Sequence, residues 1–220
     1  MMMNSTINNK LLIIIIVIFL VFYNCNAQRI SYLGLVGGYS CSKLYDNNID
    51  LELNYKIGNQ FGLVTDFRIS SRLTLGVDLL SFTKKIDYIN QFDNNHADLK
   101  ILYTSVPVYI DFSICKSNIF LISFGGYIEQ AFLYPQFANN FEKFNKINTG
   151  LLGGYKIKSP IYHEFSLIFI NQVFLGLTPT LIRKETTSIT KAKYISCLFS
   201  LGIIYEIPKN KKSCQRNTAF

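Results

Sequence analysis

The chain has no tryptophan, two histidines and five prolines, and charged residues make up only 16% of its 220 positions. Average globular chains carry about 25% charged residues, so the shortage argues for a large surface that faces lipid rather than water. Two histidines, with no Ser-His-Asp or Cys-His pattern around them, leave nucleophilic hydrolysis without a motif. No glycine-rich phosphate loop is present. The pairs Gly37-Gly38, Gly125-Gly126 and Gly153-Gly154 fall inside strand-like runs, where they relieve crowding. After the leader the cysteines are Cys41, Cys115, Cys197 and Cys214, and their spacing matches no zinc or redox motif. No cofactor is expected.

Apolar residues are what the chain has in excess: 49% are hydrophobic and 15% aromatic. The longest apolar run, Leu11 to Phe22, opens the chain behind a single charge, Lys10, and ends at Asn24-Cys25-Asn26-Ala27 before Gln28. A short basic region, an apolar core and small residues at the cleavage point make residues 1–27 a secretory signal peptide. A retained helical anchor needs about 20 apolar residues, more than this run supplies. A lipoprotein anchor at Cys25 is disfavoured by the bulky and polar Phe22-Tyr23-Asn24 before it. Cleavage after Ala27 leaves 21 basic against 14 acidic residues, a net of +7, much of it in the tail 208–220 with Lys209, Lys211, Lys212 and Arg216. An exported chain meets little nucleic acid, so the expected counterparts are lipopolysaccharide phosphates or simply water.

From Gln28 onward no segment keeps a 3.6-residue period, whereas alternation with period two recurs, the mark of strands. The pattern predicts eight strands, at Ile30–Ser40, Gly58–Ile69, Leu73–Thr83, Leu102–Ser113, Ile119–Tyr134, Ile147–Ile157, His163–Leu177 and Tyr194–Ile207. In the second, Phe61, Leu63, Phe67 and Ile69 share one face, with Gln60, Gly62, Asp66 and Arg68 on the other. In the fourth, Val106, Val108, Ile110 and Phe112 oppose Ser105, Pro107, Tyr109 and Asp111. The eighth repeats this, Phe199, Leu201 and Ile203 against Ser200, Gly202 and Glu206. The seventh is apolar on both faces in its first half, and its phase is ambiguous.

Strands near ten residues long, joined alternately by short turns (70–72, 114–118, 158–162) and long loops (41–57, 84–101, 135–146, 178–193), predict an all-β, eight-stranded, antiparallel, up-and-down transmembrane barrel over residues 28–207. A soluble lipocalin-like ligand-binding barrel shares the rhythm and stands as the alternative fold. Pro107 cannot donate to the ladder, and a closed barrel has no edge to hide it, so a bulge is expected there. With tryptophan absent, Tyr39, Phe61 and Phe132 are expected at one membrane rim and Phe112, Phe120, Phe165 and Tyr205 at the other.

The inward charges Asp66, Arg68, Asp78, Glu129, Lys156 and Glu206 form the one polar constellation. Eight strands leave room only for side chains, and charges removed from water need partners; the constellation therefore reads as a structural plug rather than an ion path. Asp93, His96 and Asp98 in the second long loop lack the ligand spacing of a known metal site and read as a solvated loop. Cys115, in a periplasmic turn, and Cys214, in the tail, lie on one side of the membrane. With Cys41 at the start of an external loop and Cys197 inside the last strand, 115–214 is the expected pairing if any disulfide forms.

In order along the chain, Leu33-Gly34-Leu35-Val36-Gly37-Gly38, Gly62-Leu63-Val64-Thr65-Asp66-Phe67, Leu73-Thr74-Leu75-Gly76-Val77-Asp78, Val106-Pro107-Val108, Phe124-Gly125-Gly126-Tyr127, Gly150-Leu151-Leu152-Gly153-Gly154-Tyr155, Gly176-Leu177-Thr178 and Leu201-Gly202-Ile203-Ile204-Tyr205 resemble the PorT-like outer-membrane β-barrel proteins of Bacteroidetes. The resemblance covers roughly residues 30–207. It departs from the family pattern at Ser105, where an acid is usual, and at Ile168 and Ile170, where the seventh strand usually carries an inward acid and base. It implies the outer membrane as location and a link to type IX secretion and gliding, the role behind the family's name. The expected partners are outer-membrane lipid and lipopolysaccharide, the barrel-assembly machinery, and secretion or envelope proteins, with no nucleic acid. The expected function is a non-enzymatic structural or partner-binding envelope component; the alternative class is an enzyme acting on lipid or peptide at the rim.

Overall fold

The computed structural model of the protein describes residues 29–45, 56–90, 95–115, 118–133, 143–184 and 189–207. Residues 1–27, where a signal peptide is expected, and the tail 208–220 lie outside the described residues. Eight staves form the wall: β1 (Arg29–Tyr45), β2 (Lys56–Arg68), β3 (Leu73–Val77, resuming as Leu79–Asn90), β4 (Asn95–Ser113), β5 (Phe120–Leu133), β6 (Ile147–Tyr162), β7 (Phe165–Gly176) and β8 (Ile189–Glu206). Each is antiparallel to the next, and β1 returns to β8 from Tyr32↔Glu206 to Tyr45↔Lys193, which closes the barrel and removes both edges. Closure is what lipid demands, since an unpaired backbone group there costs several kcal/mol.

The period-two reading of the sequence gives the two faces. Leu33, Leu35, Phe61, Phe124, Leu201 and Ile203 all point outward and are exposed, Phe124 at 68%. A soluble protein does not present so continuous an apolar belt to water, which excludes the lipocalin-like alternative. On the inner face small residues let the narrow barrel close. The Tyr109 ring lies where a Cβ on Gly76 would stand, and Tyr127 covers Gly150 in the same way. Phe61, Tyr39 and Phe132 face out toward the long-loop end; Phe112, Phe165 and Tyr205 do so toward the other, where Phe165 packs on Tyr205 with ring centroids 5.3 Å apart. The seventh strand resolves its phase with Ser166, Ile168, Ile170, Gln172 and Phe174 inward.

Three expectations need correction. The long connections are shorter than alternation suggested. β3 and β4 continue as a ribbon to Asn90↔Asn95, β8 begins at Ile189, and a short strand Leu181–Lys184 pairs with β8 and with Lys143–Phe144. Beyond the bilayer a strand no longer needs a greasy outer face, so its signature fades while its ladder continues. The third short connection, expected at 158–162, is only His163-Glu164; β6 runs to Tyr162, and His163 takes a left-handed φ of 47°. Pro107 produces no bulge. The register is the same at Val77↔Val108 and Leu80↔Ser105, and the shift in β4 falls instead between Leu102 and Tyr103. At Pro107 the ladder keeps one bond, from Asp78 N–H to the Pro107 carbonyl at 3.1 Å. The return bond has no donor, and β3 is interrupted at Asp78 for that reason.

Candidate functional site

The lumen holds two ionic layers with an apolar layer between them. The layer nearer the short turns is centred on Lys156, inward on β6 and fully buried. Its ammonium lies 3.0 Å from Asp66 Oδ1 on β2 and 2.8 Å from Asp111 Oδ2 on β4. It also reaches the hydroxyls of Tyr109 at 2.7 Å and Tyr32 at 3.0 Å. An ammonium has three N–H donors, and they go to Tyr32, Asp66 and Tyr109, while Asp111 is met as an ion pair. Tyr109 in turn donates to Asp78 Oδ2 at 2.7 Å, and Ser123 donates to Asp111 Oδ1 at 2.5 Å. Thr74 donates to Asp66 Oδ2 at 3.4 Å, and the Thr65 N–H donates to Asp78 Oδ1 at 3.3 Å. Asp66 and Asp111 thus pair with the lysine directly and Asp78 reaches it through Tyr109, while hydroxyls and an amide donate to Asp66 Oδ2, Asp111 Oδ1 and Asp78 Oδ1. That is how charge is held away from water at tolerable cost.

The second layer lies toward the long loops. Lys84 on β3 is fully buried, and its ammonium is 2.6 Å from Glu129 Oε1 on β5. Three rings surround it, at 4.3 Å (Tyr194), 4.5 Å (Tyr103) and 5.4 Å (Phe82) from their centroids. Cation–π attraction of this kind strengthens where water is excluded. Asn148 donates to the same Glu129 oxygen at 3.3 Å, and Gln60 donates to Ser200 across β2 and β8. Between the layers Val36, Val64, Leu80 and Leu152 fill the inward positions, and Ile170 and Ile168 of β7 stand opposite Lys156 and Lys158. Buried side chains thus occupy the interior at every level, as an eight-strand circumference requires.

Of the six charges read from the sequence, Asp66, Asp78 and Lys156 meet in the first layer and Glu129 sits in the second. Arg68 and Glu206 do not join them, contrary to expectation. Both stand at strand ends, Arg68 half-buried, and Glu206 exposed with its Oε1 accepting from Ser166 at 3.3 Å. There the inward face opens to the aqueous rim. Two members were missed. Asp111 shares the inward face of the fourth strand and completes the Lys156 layer. Lys84 falls in the expected loop 84–101, yet continuing the inward parity Asp78, Leu80, Phe82 by one step reaches it, and an inward Glu129 calls for a cation. Lys158, expected in a turn, lies on β6 with its ammonium 3.8 Å from the Tyr32 ring centroid. Asp93 lies outside the described residues, while His96 and Asp98 belong to β4, opposite Ile89 and Asp87. Cys115 is an exposed thiol in its turn, Cys214 lies outside the described residues, and Cys41 is inside β1, not at a loop start.

A closed eight-stranded barrel with a lipid-facing apolar belt, short turns at one end and a filled lumen is an outer-membrane β-barrel protein. No protein-family model and no curated protein matches the chain. Among solved structures it is similar to the outer-membrane protein OprG of Pseudomonas aeruginosa, with 13% identity over 81% of this chain and 97% of that one and a TM-score of 0.50. Also similar are Ail, the attachment invasion locus protein of Yersinia pestis (12%, 80% and 99%, TM-score 0.42), and Neisserial surface protein A (12%, 80% and 97%, TM-score 0.41). At such identities the likeness concerns the fold alone.

Proposed function

We propose that the protein is a non-enzymatic scaffold of the outer membrane, a PorT-like barrel that acts by binding envelope partners at its two ends, in secretion or envelope maintenance. One observation carries this reading: the lumen is closed by two buried ionic layers and the apolar layer between them, so the surfaces left for work are the long-loop end, the short-turn end and the lipid belt. The PorT-like segments support the link to secretion. Single-channel recording on the purified barrel in planar bilayers tests the central step. The expected result is no steady conductance. A stable ion-selective current from the folded wild-type barrel would overturn the reading and make the charged layers a path.

A further inference from the structure

Cys41 on β1 and Cys197 on β8 are directly opposite one another in the ladder that closes the barrel. Ser40, Ser42, Ser196 and Leu198 on either side of them are buried inward, so by alternation both thiols point outward, and both are partly exposed. Opposed Cα atoms of an antiparallel pair stand about 4.5 or 5.5 Å apart, and either spacing lies within the roughly 4.4–6.8 Å that a disulfide spans. One step inward, Ser42 donates to Ser196 at 2.9 Å, so the two strands are already tied at this height. On the outer face the pair lies between Tyr39 opposite Phe199 and Lys43 opposite Ile195. An aromatic rung on one side and a lysine on the other mark the membrane–water boundary, within reach of a soluble reagent.

We propose that Cys41 and Cys197 form a cross-strand dithiol that is oxidised to a disulfide on export and stitches the seam where the barrel closes. The oxidant is a protein disulfide of the thiol-oxidase class in the envelope. One cysteine thiolate attacks a donor sulfur, forming a mixed disulfide and releasing the donor's other thiolate. The second cysteine thiolate then displaces the donor. Two thiol protons leave, one S–S bond forms, and the donor's S–S bond is reduced to two thiols. β1 and β8 are the one neighbouring pair of staves not joined by a turn, so the bond closes a circle that noncovalent pairing alone holds shut. Cys115 cannot compete, since it sits in a turn at the opposite end.

The test uses the full mature chain extracted from membranes without reductant, alkylated with iodoacetamide, digested and read by mass spectrometry. The expected result is a Cys41–Cys197 cross-linked peptide pair together with alkylated Cys115. The boiled, non-reduced protein should also run faster on gels than the reduced one, a difference that Cys41→Ser and Cys197→Ser each abolish. A reduced, refolded wild-type barrel treated with oxidised glutathione should form the same bridge, which keeps the result independent of how the variants fold. Alkylation of Cys41 and Cys197 in most molecules, glutathione mixed disulfides at both, or a bridge from either to Cys115 or Cys214 overturns the proposal.

Discussion

Replacing Lys156 by methionine removes the ammonium that pairs with Asp66 and Asp111 and reaches Asp78 through Tyr109, while keeping most of its apolar stem. The two direct ion pairs span 3.0 and 2.8 Å. At an effective dielectric of about 20 each represents roughly 5–6 kcal/mol of Coulomb attraction, most of it offset by the cost of taking the ions out of water. What the substitution exposes is the other side of that balance: buried carboxylates with no cation in contact, Lys158 standing off against the Tyr32 ring. Breaking a buried pair from one side costs about 3–5 kcal/mol, and that is the loss expected for Lys156→Met. The assay is urea unfolding in lipid vesicles, followed by the gel-mobility difference between heated and unheated barrel. Adding Asp66→Asn and Asp111→Asn to Lys156→Met removes the stranded charges and should recover at least half of the loss, a non-additivity expected of touching residues. A loss below about 1 kcal/mol for Lys156→Met, with no recovery in the triple variant, would refute the picture of a dry ionic layer.

Lys84→Met should likewise cost about 3–5 kcal/mol in the same assay, because Glu129 is left buried with only Asn148 as donor, and Glu129→Gln in that background should restore stability. Loss without restoration would mean the aromatic cage, not the ion pair, is what Lys84 supplies. Leu201→Arg, on the lipid face, should cost about 2–4 kcal/mol near the midplane; a neutral result would place that face in water. Gly76→Val drives a side chain into the Tyr109 ring and disturbs its bonds to Asp78 and Lys156, for a loss of about 1–3 kcal/mol from overpacking. Wild-type stability there would show that Tyr109 packs elsewhere. Single-cysteine variants at Leu75, Leu201 and Ile203 should take up a lipid-phase thiol reagent, and variants at Gly76 and Gly202 should not.

The barrel was legible because lipid and lumen impose opposite demands on alternate residues. Leu63 and Asp66 fall on different faces by parity alone, and the same parity placed Asp66, Asp78, Glu129 and Lys156 inside. Legibility ended where those demands end. Lys84 and Lys85 look like the start of a loop because two lysines in a row break the alternation, yet one is buried and the other exposed. Arg68 and Glu206 have the right parity and the wrong height, since parity says which face a residue takes and nothing of how deep it sits. Cys41 and Cys197 are 156 positions apart, and only the closing register brings them together. Their pairing depends on the stagger between the first and last strands, a quantity that no local pattern in the chain encodes.

The β3–β4 ribbon, finally, has a mechanical meaning. From Lys85↔Lys100 to Asn90↔Asn95 it adds five ladder steps, about 17 Å of extended chain at roughly 3.4 Å per residue. A segment this long in a coil samples many orientations, and any binder must suppress them. Continued as a ladder from the barrel wall, it works as a cantilever: the paired backbone of residues 85–90 and 95–100 keeps the wall's own direction instead of sampling those orientations. A binder of those paired residues would meet backbone already ordered, at little entropic cost.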